Sequence, residues 1–330
     1  MPVTALLGCA HIHTPNFVKK LAERADATVA AIWDPDPARA RPHAETLGCA
    51  VVGSPEEALA AEGVEGAIIC SVTRQHETLV MASVVAGKHL FVEKPLGLGR
   101  EDAERMAAAI EKAGLVFQTG YFNRGTPAHQ FIRAEIAAGH FGTVTRAHHS
   151  NCHSGALGGW FDTDWRWMAD PVAAGCGGYG DLGTHSLDIL MWWFGDVRRV
   201  TASLGPVTRR YGDCDESGEG LIEFASGVRA VLSAGWVDRA DPVKFLVSGT
   251  EGHAVMVRNQ LFYQSQHVEG ADGKEPWTQL PPALPHAFDL FLDRLGGQDV
   301  PLVSPSEAAA RSTVTEALYR AAKDGVWVEV

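Results

Sequence analysis

The stretch His89-Leu90-Phe91-Val92-Glu93-Lys94-Pro95 is the most informative part of this 330-residue chain. The apolar run that ends at Val92 predicts a buried strand, and Glu93-Lys94-Pro95 places a charged pair where that strand ends. A lysine at the carboxyl end of such a strand lies in the crevice where ligands of open α/β sheets bind. The tripeptide alone occurs by chance in many proteins, so its meaning depends on the chain around it.

The first third of the chain alternates strand and helix signals. The predicted strands are apolar runs at 3–8, 27–33, 66–72, 89–92 and 116–120. They are continuous rather than alternating, which indicates burial on both faces and hence a parallel sheet covered by helices. Thr14-Pro15 and Ser54-Pro55 each pair an N-cap residue with a proline at the first helical position, which predicts helix starts there. We therefore predict an α/β fold with a Rossmann dinucleotide-binding domain over residues 1–121.

After Tyr121 the pattern changes. A helix is predicted over 128–138, an aromatic, Gly-rich loop over 154–178, and a strongly apolar helix over 181–194. Six runs with β character then follow between residues 200 and 264, joined by turn signals such as Ser226-Gly227. This part of the chain predicts a second, α+β domain over residues 122–330 that contains an antiparallel sheet.

The composition restricts the class of protein. Hydrophobic residues make up 46% and charged residues 21%, which is ordinary for a globular chain. The net charge of -12 argues against a nucleic-acid surface and, more weakly, against an anionic membrane surface. None of the six cysteines forms a Cys-x-x-Cys pair, which favours free thiols in a reducing compartment. With no secretion signal and no apolar segment of about 20 residues, we expect a cytoplasmic protein without membrane or nucleic-acid partners.

The first strand runs into a variant of the dinucleotide-binding fingerprint. A strand, a tight turn and a helix N-terminus make an anion site for a pyrophosphate, with the usual pattern Gly-x-Gly-x-x-Gly. Here the turn is Gly8-Cys9-Ala10-His11-Ile12-His13, so only the first glycine is present. Ala10 still lets the backbone approach closely, whereas His13 stands where a small residue normally permits tight helix–strand packing.

The two histidines of this turn have two interpretations. His11 and His13 are possible metal ligands, but residues at i and i+2 of a loop are expected to point apart, and no third ligand is evident in the sequence. A backbone role for His11 is the alternative that we favour, and we expect no metal.

Asp34 supports a dinucleotide site. It ends the second strand about 20 residues after the fingerprint, where a carboxylate hydrogen-bonds a ribose 2′-hydroxyl and repels a 2′-phosphate. NAD rather than NADP is therefore the predicted cofactor. The alternative is that Asp34 only caps the turn Asp34-Pro35-Asp36-Pro37.

The catalytic candidates are Lys94, Asp181 and His185. Asp181 and His185 are at i and i+4 of one predicted helix, so their side chains lie on the same face. A carboxylate beside an imidazole orients it and tunes it for proton transfer near neutral pH. Each residue also has a simpler explanation. Lys94 would be a solvated charge, Asp181 an acid favoured at a helix start, and His185 a buried core histidine.

At this point the chain resembles the glucose–fructose oxidoreductase, inositol dehydrogenase and rhizopine catabolism (Gfo/Idh/MocA) family over nearly all of its length. The resemblance rests on Ala86-Gly87-Lys88-His89 leading into Glu93-Lys94-Pro95, on Asp164-Trp165-Arg166, and on the run from Gly177-Gly178 to Asp181-Leu182-Gly183-Thr184-His185. One departure is Cys70-Ser71-Val72-Thr73, which replaces the family's Ala-Thr-Pro-Asn-like turn, although His76 is retained.

The resemblance implies a Rossmann domain plus a domain with an open, mostly antiparallel sheet that often serves oligomer contacts, here a homodimer or homotetramer. It implies NAD(P)-dependent hydride transfer at a secondary hydroxyl of a sugar, cyclitol or related polyol. By position, Lys94 would polarise the reacting oxygen, His185 would be the general base with Asp181 as its partner, and Glu93 would lie near the nicotinamide. The predicted cofactor-binding residues are Gly8, Ala10, His11, Ile12, Asp34, Ser71, Thr73, His76, Glu93 and Lys94.

The substrate residues are less evident from the sequence. Aromatic rings suit the apolar faces of a sugar, and Asp, Asn and Arg suit its hydroxyls. The predicted substrate-binding residues are Tyr121, Asn123, His153, Asp164, Trp165 and Arg166, with Arg124 and Trp160 as further pocket residues. His148, His149 and His153 resemble a metal cluster, but adjacent strand residues face opposite ways, so at most two of them can converge.

Two other functions remain open at this stage. One is redox-neutral chemistry on a glycoside, in which transient oxidation permits elimination and NAD never leaves. The other is a regulatory module that binds nucleotide and sugar without turnover, which the incomplete glycine fingerprint favours and the retained Lys94, Asp181 and His185 disfavour.

Overall fold

The computed structural model describes all 330 residues and divides into two compact units. The first unit contains Met1–Tyr121, Asp162–Gly175 and Pro285–Thr313. The second contains Phe122–Phe161, Cys176–Leu284 and Val314–Val330. The sequence analysis assigned everything after residue 121 to a second domain, whereas the structure groups two later segments with the first unit. Those two segments belong to the first unit because of the residues that they pack against. Their own sequence pattern does not indicate which unit they join.

The first unit is built on a six-stranded parallel sheet in the order β3-β2-β1-β4-β5-β6. Its strands are β1 Val3–Leu7, β2 Thr28–Trp33, β3 Ala50–Val51, β4 Gly66–Ile69, β5 His89–Val92 and β6 Phe117–Thr119. The strand order reverses between β1 and β4, and this switch point is where open α/β sheets bind ligands. The predicted Rossmann sheet is confirmed.

Side chains alternate along each of these strands between two apolar clusters, one on each face of the sheet. Leu6 and Ile68 pack with Phe288 in one cluster. Their chain neighbours Leu7 and Ile69 belong to the other. Burial on both faces is the physical reason why the strands read as continuous apolar runs in the sequence.

Ten α-helices complete the chain. Their bounds are α1 Thr14–Glu23, α2 Pro37–Leu47, α3 Pro55–Ala60, α4 His76–Val85, α5 Arg100–Ala113, α6 Pro127–Ala137, α7 Pro171–Ala174, α8 Gly178–Phe194, α9 Ala287–Leu295 and α10 Pro305–Asp324. The sequence analysis missed α2, because only Ala40 and Ala44 are buried on it and Pro42 interrupts it. Asp36 caps this helix by accepting a hydrogen bond from the Ala38 N–H.

The second unit contains a nine-stranded sheet in the order β14-β13-β12-β11-β7-β10-β9-β8-β15. Its strands are β7 Val144–Cys152, β8 Val197–Gly205, β9 Ser217–Phe224, β10 Arg229–Gly235, β11 Val243–Gly249, β12 Gly252–Val257, β13 Gln260–Ser265, β14 Asp272–Pro276 and β15 Val328–Glu329. Only the β7–β10 pair is parallel, which confirms the predicted mostly antiparallel sheet. Helix α8 packs against β7, β9 and β10. None of the helices combines the length and the apolar character that crossing a bilayer requires.

Candidate active site

The turn after β1 requires a glycine at its first position. Gly8 has a φ of +82°, and a Cβ added to it would lie 2.6 Å from the Cβ of Ser71. Its N–H donates to the Trp33 carbonyl oxygen at 2.7 Å. The left-handed backbone conformation and the close approach to Ser71 together mean that only glycine fits at position 8. The one fingerprint glycine that the chain retains is therefore the one that the turn geometry demands.

The middle of the turn is held from two sides. The His11 N–H donates to the Cys70 carbonyl oxygen at 3.0 Å, which ties the turn to the end of β4. The Trp167 indole N–H donates to the Ala10 carbonyl oxygen at 2.9 Å. Trp167 was missed in the sequence analysis, although it directly follows the Asp164-Trp165-Arg166 motif and an indole N–H needs an acceptor when it is enclosed. Ile12 is only partly buried on this turn.

His13 occupies the third fingerprint position without backbone strain. Its φ of −83° and ψ of −11° are ordinary right-handed values, and α1 begins at the next residue. Its Nδ1 lies 2.9 Å from Oε1 of Glu93, while His11 Nε2 lies 3.8 Å from Oε2 of the same residue. The expectation that His11 and His13 point apart without a third partner is wrong, since both rings face one carboxylate.

Glu93 is a fully buried carboxylate at the end of β5. Its Oε2 also accepts the Lys94 N–H at 2.9 Å. Burial would raise the pKa of Glu93, but the facing His11 and His13 more than offset that effect and hold the pKa well below its usual range. Lys94 is itself only 3% exposed, so the alternative that it is a solvated charge is wrong.

His76 supports the turn that follows Lys94. It is completely buried, and its Nδ1 lies 3.1 Å from the Pro95 carbonyl oxygen and 3.2 Å from that of Leu96. Carbonyl oxygens only accept, so Nδ1 carries the proton and donates to them. Burial lowers the pKa of His76, which keeps the ring neutral. The Lys94–Pro95 peptide bond is cis.

Asp34 is buried between the fingerprint turn and the turn after β2. Its Oδ2 accepts the Cys9 N–H at 2.6 Å, and its Oδ1 accepts the Asp36 N–H at 2.8 Å. Arg39 donates to Oδ1 at 3.0 Å. Asp34 therefore does form the local turn that was the alternative to ribose binding, and it has a cationic neighbour that the sequence analysis did not notice. Of the other predicted cofactor residues, Ser71 and Thr73 are both buried after β4.

In the second unit, the N-terminus of α8 is held by a tyrosine and an aspartate. The Tyr319 hydroxyl accepts the N–H groups of Gly177 at 3.1 Å and Gly180 at 3.0 Å, and donates to Asp215 Oδ1 at 2.9 Å. Asp215 Oδ2 accepts the Tyr179 N–H at 2.8 Å. These bonds satisfy amides that a helix N-terminus leaves unpaired. Sequence analysis missed Tyr319 and Asp215, since nothing in their local sequence connects them to α8.

Asp181 and His185 lie on the first turns of α8, as predicted. Asp181 Oδ2 accepts the Trp236 indole N–H at 3.0 Å, which fixes the carboxylate against β10. His185 is 4% exposed, and its ring centroid lies 5.2 Å from that of Phe122. The helical spacing of α8 therefore places Asp181 and His185 on the same face of the helix. Trp236 is an additional residue that orients the Asp181 carboxylate.

A chain of hydrogen-bonded imidazoles lies beside α8. Ser186 Oγ is 2.8 Å from His149 Nδ1, and His149 Nε2 is 3.1 Å from His129 Nε2. His129 Nδ1 lies 3.0 Å from the Asn123 carbonyl oxygen, which only accepts. The protons therefore run in one direction, from the Ser186 hydroxyl through both rings to that carbonyl. Burial lowers the pKa of His149 well below its usual range and that of His129 to about 4, so both rings are neutral.

The same histidines border a cavity of about 380 Å³ in the second unit. Asn123, a predicted substrate residue, is also part of its lining, together with Asn151 and Lys244. Arg124 does not line it, because its guanidinium makes two hydrogen bonds, at 2.9 and 2.6 Å, to the buried carboxylate of Asp188 on α8. Arg124 therefore anchors α8, which differs from the pocket role inferred from the sequence.

The remaining predicted substrate residues are divided between the units. Asp164, Trp165 and Arg166 belong to the first unit, where Asp164 and Arg166 are exposed. Tyr121 is the last residue of the first segment and is 2% exposed. His153 belongs to the second unit and accepts the Gly155 N–H on Nδ1 at 3.0 Å.

Adjacent histidines on β7 face opposite sides of the sheet, as predicted. His148 Nε2 lies 2.9 Å from Ser233 Oγ on one face. His149 is directed towards Ser186 of α8 on the other. The two rings therefore do not converge on a common metal position.

Comparisons with known proteins agree with this architecture. Residues 4–121 match a family model described as an oxidoreductase family with an NAD-binding Rossmann fold. Residues 129–255 match a second model, described as the GFO/IDH/MocA C-terminal domain. Together the two matches cover well over half of the chain.

The sequence relatives are distant. A 1,5-anhydro-D-fructose reductase of Ensifer adhaerens is 28% identical over 233 residues, which is 70% of this chain and 68% of that protein. A scyllo-inositol 2-dehydrogenase (NAD(+)) of Bacillus subtilis (strain 168) is 27% identical over 261 residues, which is 75% of this chain and 71% of that protein. Among solved structures, the WlbA dehydrogenase of Bordetella pertussis in complex with NADH and UDP-GlcNAcA has a TM-score of 0.85 and 19% identity, covering 100% of this chain and 97% of that one. At that identity the structural likeness supports the fold alone.

The Tyr319 hydroxyl should stabilise the protein through the α8 N-terminus. Tyr319→Phe should lower the free energy of unfolding by about 1–3 kcal/mol, because two helix amides and Asp215 lose a buried partner. Tyr179→Phe is the matched control, since its buried hydroxyl has no hydrogen-bond partner and its loss should be neutral or stabilising. Denaturant unfolding measures both, and equal effects would contradict the assigned role.

The imidazole chain should make the protein sensitive to acid. Unfolded His129 binds a proton below about pH 6.5 and the folded residue only below about pH 4, so the unfolded state binds more protons in that window. The free energy of unfolding should therefore fall as pH is lowered from 6.5 to 4, with His129 contributing at most about 3 kcal/mol. His129→Gln should flatten this slope, because the buried imidazole that the folded state keeps neutral is gone. Identical slopes in wild type and His129→Gln would refute the assignment.

Proposed function

The chain belongs to the GFO/IDH/MocA family of oxidoreductases, and from that premise we propose that it is an NAD-dependent dehydrogenase of a sugar, cyclitol or related polyol. The observation that carries the proposal is a buried Lys94 at the end of β5 in one unit, with Asp181 and His185 one helical turn apart in the other. The relatives from Ensifer adhaerens and Bacillus subtilis support the substrate class, since both act on cyclic polyhydroxy compounds by name.

The cofactor proposal rests on the turn after β1. Gly8 and Ala10 let the backbone approach a pyrophosphate, and the dipole of α1, which begins at Thr14, favours an anion at this end of the helix. Gly8, Ala10, His11, Ile12, Ser71 and Thr73 would hold the dinucleotide, Glu93 would lie near its nicotinamide, and His76 would support Lys94 from behind. Bound NAD would supply the hydride acceptor.

The protein's own groups would handle the substrate oxygen and its proton. We assign Lys94 to hold and polarise the reacting hydroxyl, because an ammonium stabilises the negative charge that develops as the proton leaves. His185 would take that proton, with Asp181 orienting it. Tyr121, Asn123, His153, Asp164, Trp165 and Arg166 would bind the remaining hydroxyls and the apolar faces of the ring.

The preference for NAD over NADP belongs to the same proposal. Asp34 would bind a ribose 2′-hydroxyl and repel a 2′-phosphate. Arg39, 3.0 Å from Asp34, would favour a 2′-phosphate once that carboxylate is gone.

We also propose that the protein is a cytoplasmic homodimer or homotetramer. All six cysteines are free thiols, which suits a reducing compartment. Leu221 and Val231 are register partners on β9 and β10 and are each more than one third exposed, while their chain neighbours Ile222 and Leu232 are buried. We assign this exposed apolar pair to the contact between subunits.

Removing the proposed catalytic groups should abolish most turnover. With NAD and a panel of monosaccharides, inositols and anhydrosugars, wild type should reduce NAD with one substrate class, measured by nicotinamide absorbance. Lys94→Ala and His185→Ala should each lower kcat by about 10²–10⁴-fold. Lys88→Ala, at the opposite end of β5, is the matched lysine control and should keep activity.

Three results would overturn this proposal. Full turnover by Lys94→Ala would remove the assigned role of Lys94. No absorbance change with any substrate, together with NAD that stays bound through purification, would replace net oxidation by redox-neutral chemistry. Saturable binding of NAD and sugar without any hydride transfer would instead indicate a regulator.

Asp34 should control cofactor choice. Asp34→Ser should shift the ratio of kcat/KM for NAD to that for NADP towards NADP by about 10-fold or more, since one tenfold step corresponds to about 1.4 kcal/mol of binding preference. Asp36→Ser is the control, because it removes a carboxylate from the same turn while the serine can still cap α2. The ratio of kcat/KM for NAD to that for NADP should stay unchanged in this variant. An unchanged ratio in Asp34→Ser would contradict the ribose assignment.

A further inference from the structure

We propose that His11, His13 and Glu93 form a binding site for one divalent transition-metal ion, with Zn²⁺ as the reference ion. Their ligand atoms all lie within 4.8 Å of one another. His11 and Glu93 are also assigned to the dinucleotide site above, so metal binding is proposed for the protein free of nucleotide and substrate.

The donor set is the first argument. Two imidazole nitrogens and a carboxylate are preferred ligands of Zn²⁺, Co²⁺, Ni²⁺ and Fe²⁺, whereas Mg²⁺ and Ca²⁺ prefer oxygen. His13 Nδ1 is 2.9 Å from Glu93 Oε1, and His11 Nε2 is 3.8 Å from Oε2. Ligand atoms about 2.0–2.2 Å from a common metal lie at most about 4.4 Å apart, so the widest separation in this set, 4.8 Å, must shorten by a few tenths of an ångström when the ion binds.

The charge of the site is the second argument. Glu93 is wholly buried, and an isolated buried carboxylate is strongly unfavourable. Each of the two Glu93 carboxylate oxygens faces a different imidazole nitrogen, Oε1 that of His13 and Oε2 that of His11. A divalent ion between the three side chains would strengthen the stabilisation that the two imidazoles already give this carboxylate.

The site is also assembled on anchored backbone. Glu93 is the residue that follows β5, and its N–H donates to the Ile69 carbonyl oxygen at 3.0 Å. The loop with both histidines is held by the bonds from the His11 N–H to Cys70 and from the Trp167 indole to Ala10. Ligands that are held in place before binding lose little conformational freedom when the metal arrives.

The coordination would be incomplete with protein ligands alone. Three protein ligands and an open position are typical of sites that also bind water or a substrate. His11 and Glu93 side chains are 3% and 0% exposed, whereas that of His13 is 34% exposed. An exogenous ligand would therefore reach the ion from the His13 side.

Binding requires a rearrangement of protons. In the absence of a metal, the proton between His13 Nδ1 and Glu93 Oε1 makes a hydrogen bond, and the ion would replace it. The His11 Nδ1 accepts the His13 N–H at 3.3 Å, so coordination through Nε2 moves the ring proton to Nδ1 and gives up this long contact. Both changes are small beside the ligand bonds formed.

The test is calorimetric titration of Zn²⁺ into the full-length protein after chelator treatment and dialysis. One equivalent should bind, and Co²⁺ should give visible d–d absorption with the same stoichiometry. His13→Gly and Glu93→Gln should each weaken Zn²⁺ binding by about 100-fold or more, since even outer-shell changes cost 10–100-fold. His43→Gln removes an imidazole of the same unit outside the cluster and should leave the affinity unchanged.

His13→Gly introduces the small residue of the usual fingerprint at a partly exposed position, so we expect this variant to fold. It keeps the test valid if Glu93→Gln fails to fold. Circular dichroism would show whether each variant is folded. Absence of Zn²⁺ and Co²⁺ binding would overturn the proposal, as would binding that His13→Gly leaves intact. Because the titration contains no nucleotide or substrate, its outcome is separate from that of the turnover assay, and a protein without dehydrogenase activity would still bind the metal.

Discussion

The buried carboxylate of Glu93 is the constraint around which the first unit's functional edge is organised. A fully enclosed charge at the end of β5 needs hydrogen-bond donors and positive partners on every side. The Lys94 amide and the two histidines of the turn after β1 supply them. The turn, the strand end and Lys94, the proposed catalytic lysine, are therefore connected through one side chain. This connection explains how a fingerprint with a single glycine remains compatible with the fold.

In the second unit, the corresponding constraint is the set of backbone amides that the N-terminus of α8 leaves unpaired. The helix begins in glycines that allow close approach, since a Cβ at Gly178 would lie 2.7 Å from the Glu216 carbonyl oxygen. The exposed amides that result are bound by the Tyr319 hydroxyl and Asp215. Because the helix start is held in this way, the register of Asp181 and His185 follows from helix geometry alone. The glycines of this motif thus help to position Asp181 and His185, the two proposed catalytic side chains of α8.

The fold could largely be predicted from the sequence, because burial on both faces of β1, β4 and β5 leaves continuous apolar runs. Helix α2 could not, since alanines provide its only buried face. For the site, Gly8, Lys94, Asp181 and His185 could be identified from motifs that are local in sequence. Trp167, Asp215 and Tyr319 could not, because their partners are 157, 36 and 142 residues away along the chain. The convergence of His11 and His13 on Glu93 was mispredicted because it depends on side-chain rotation in a loop, which has no periodic pattern.

In the proposed reaction, a hydride passes from a carbinol carbon to the nicotinamide while the protein's own groups handle only the oxygen and its proton. The most direct measurement uses an active polyol substrate deuterated at the reacting carbon, with mass spectrometry of the nucleotide after turnover. The account predicts one deuterium in the reduced nicotinamide and a slower rate than with the unlabelled substrate. Reduced nucleotide without deuterium, or product formed with the label released to water, would contradict it.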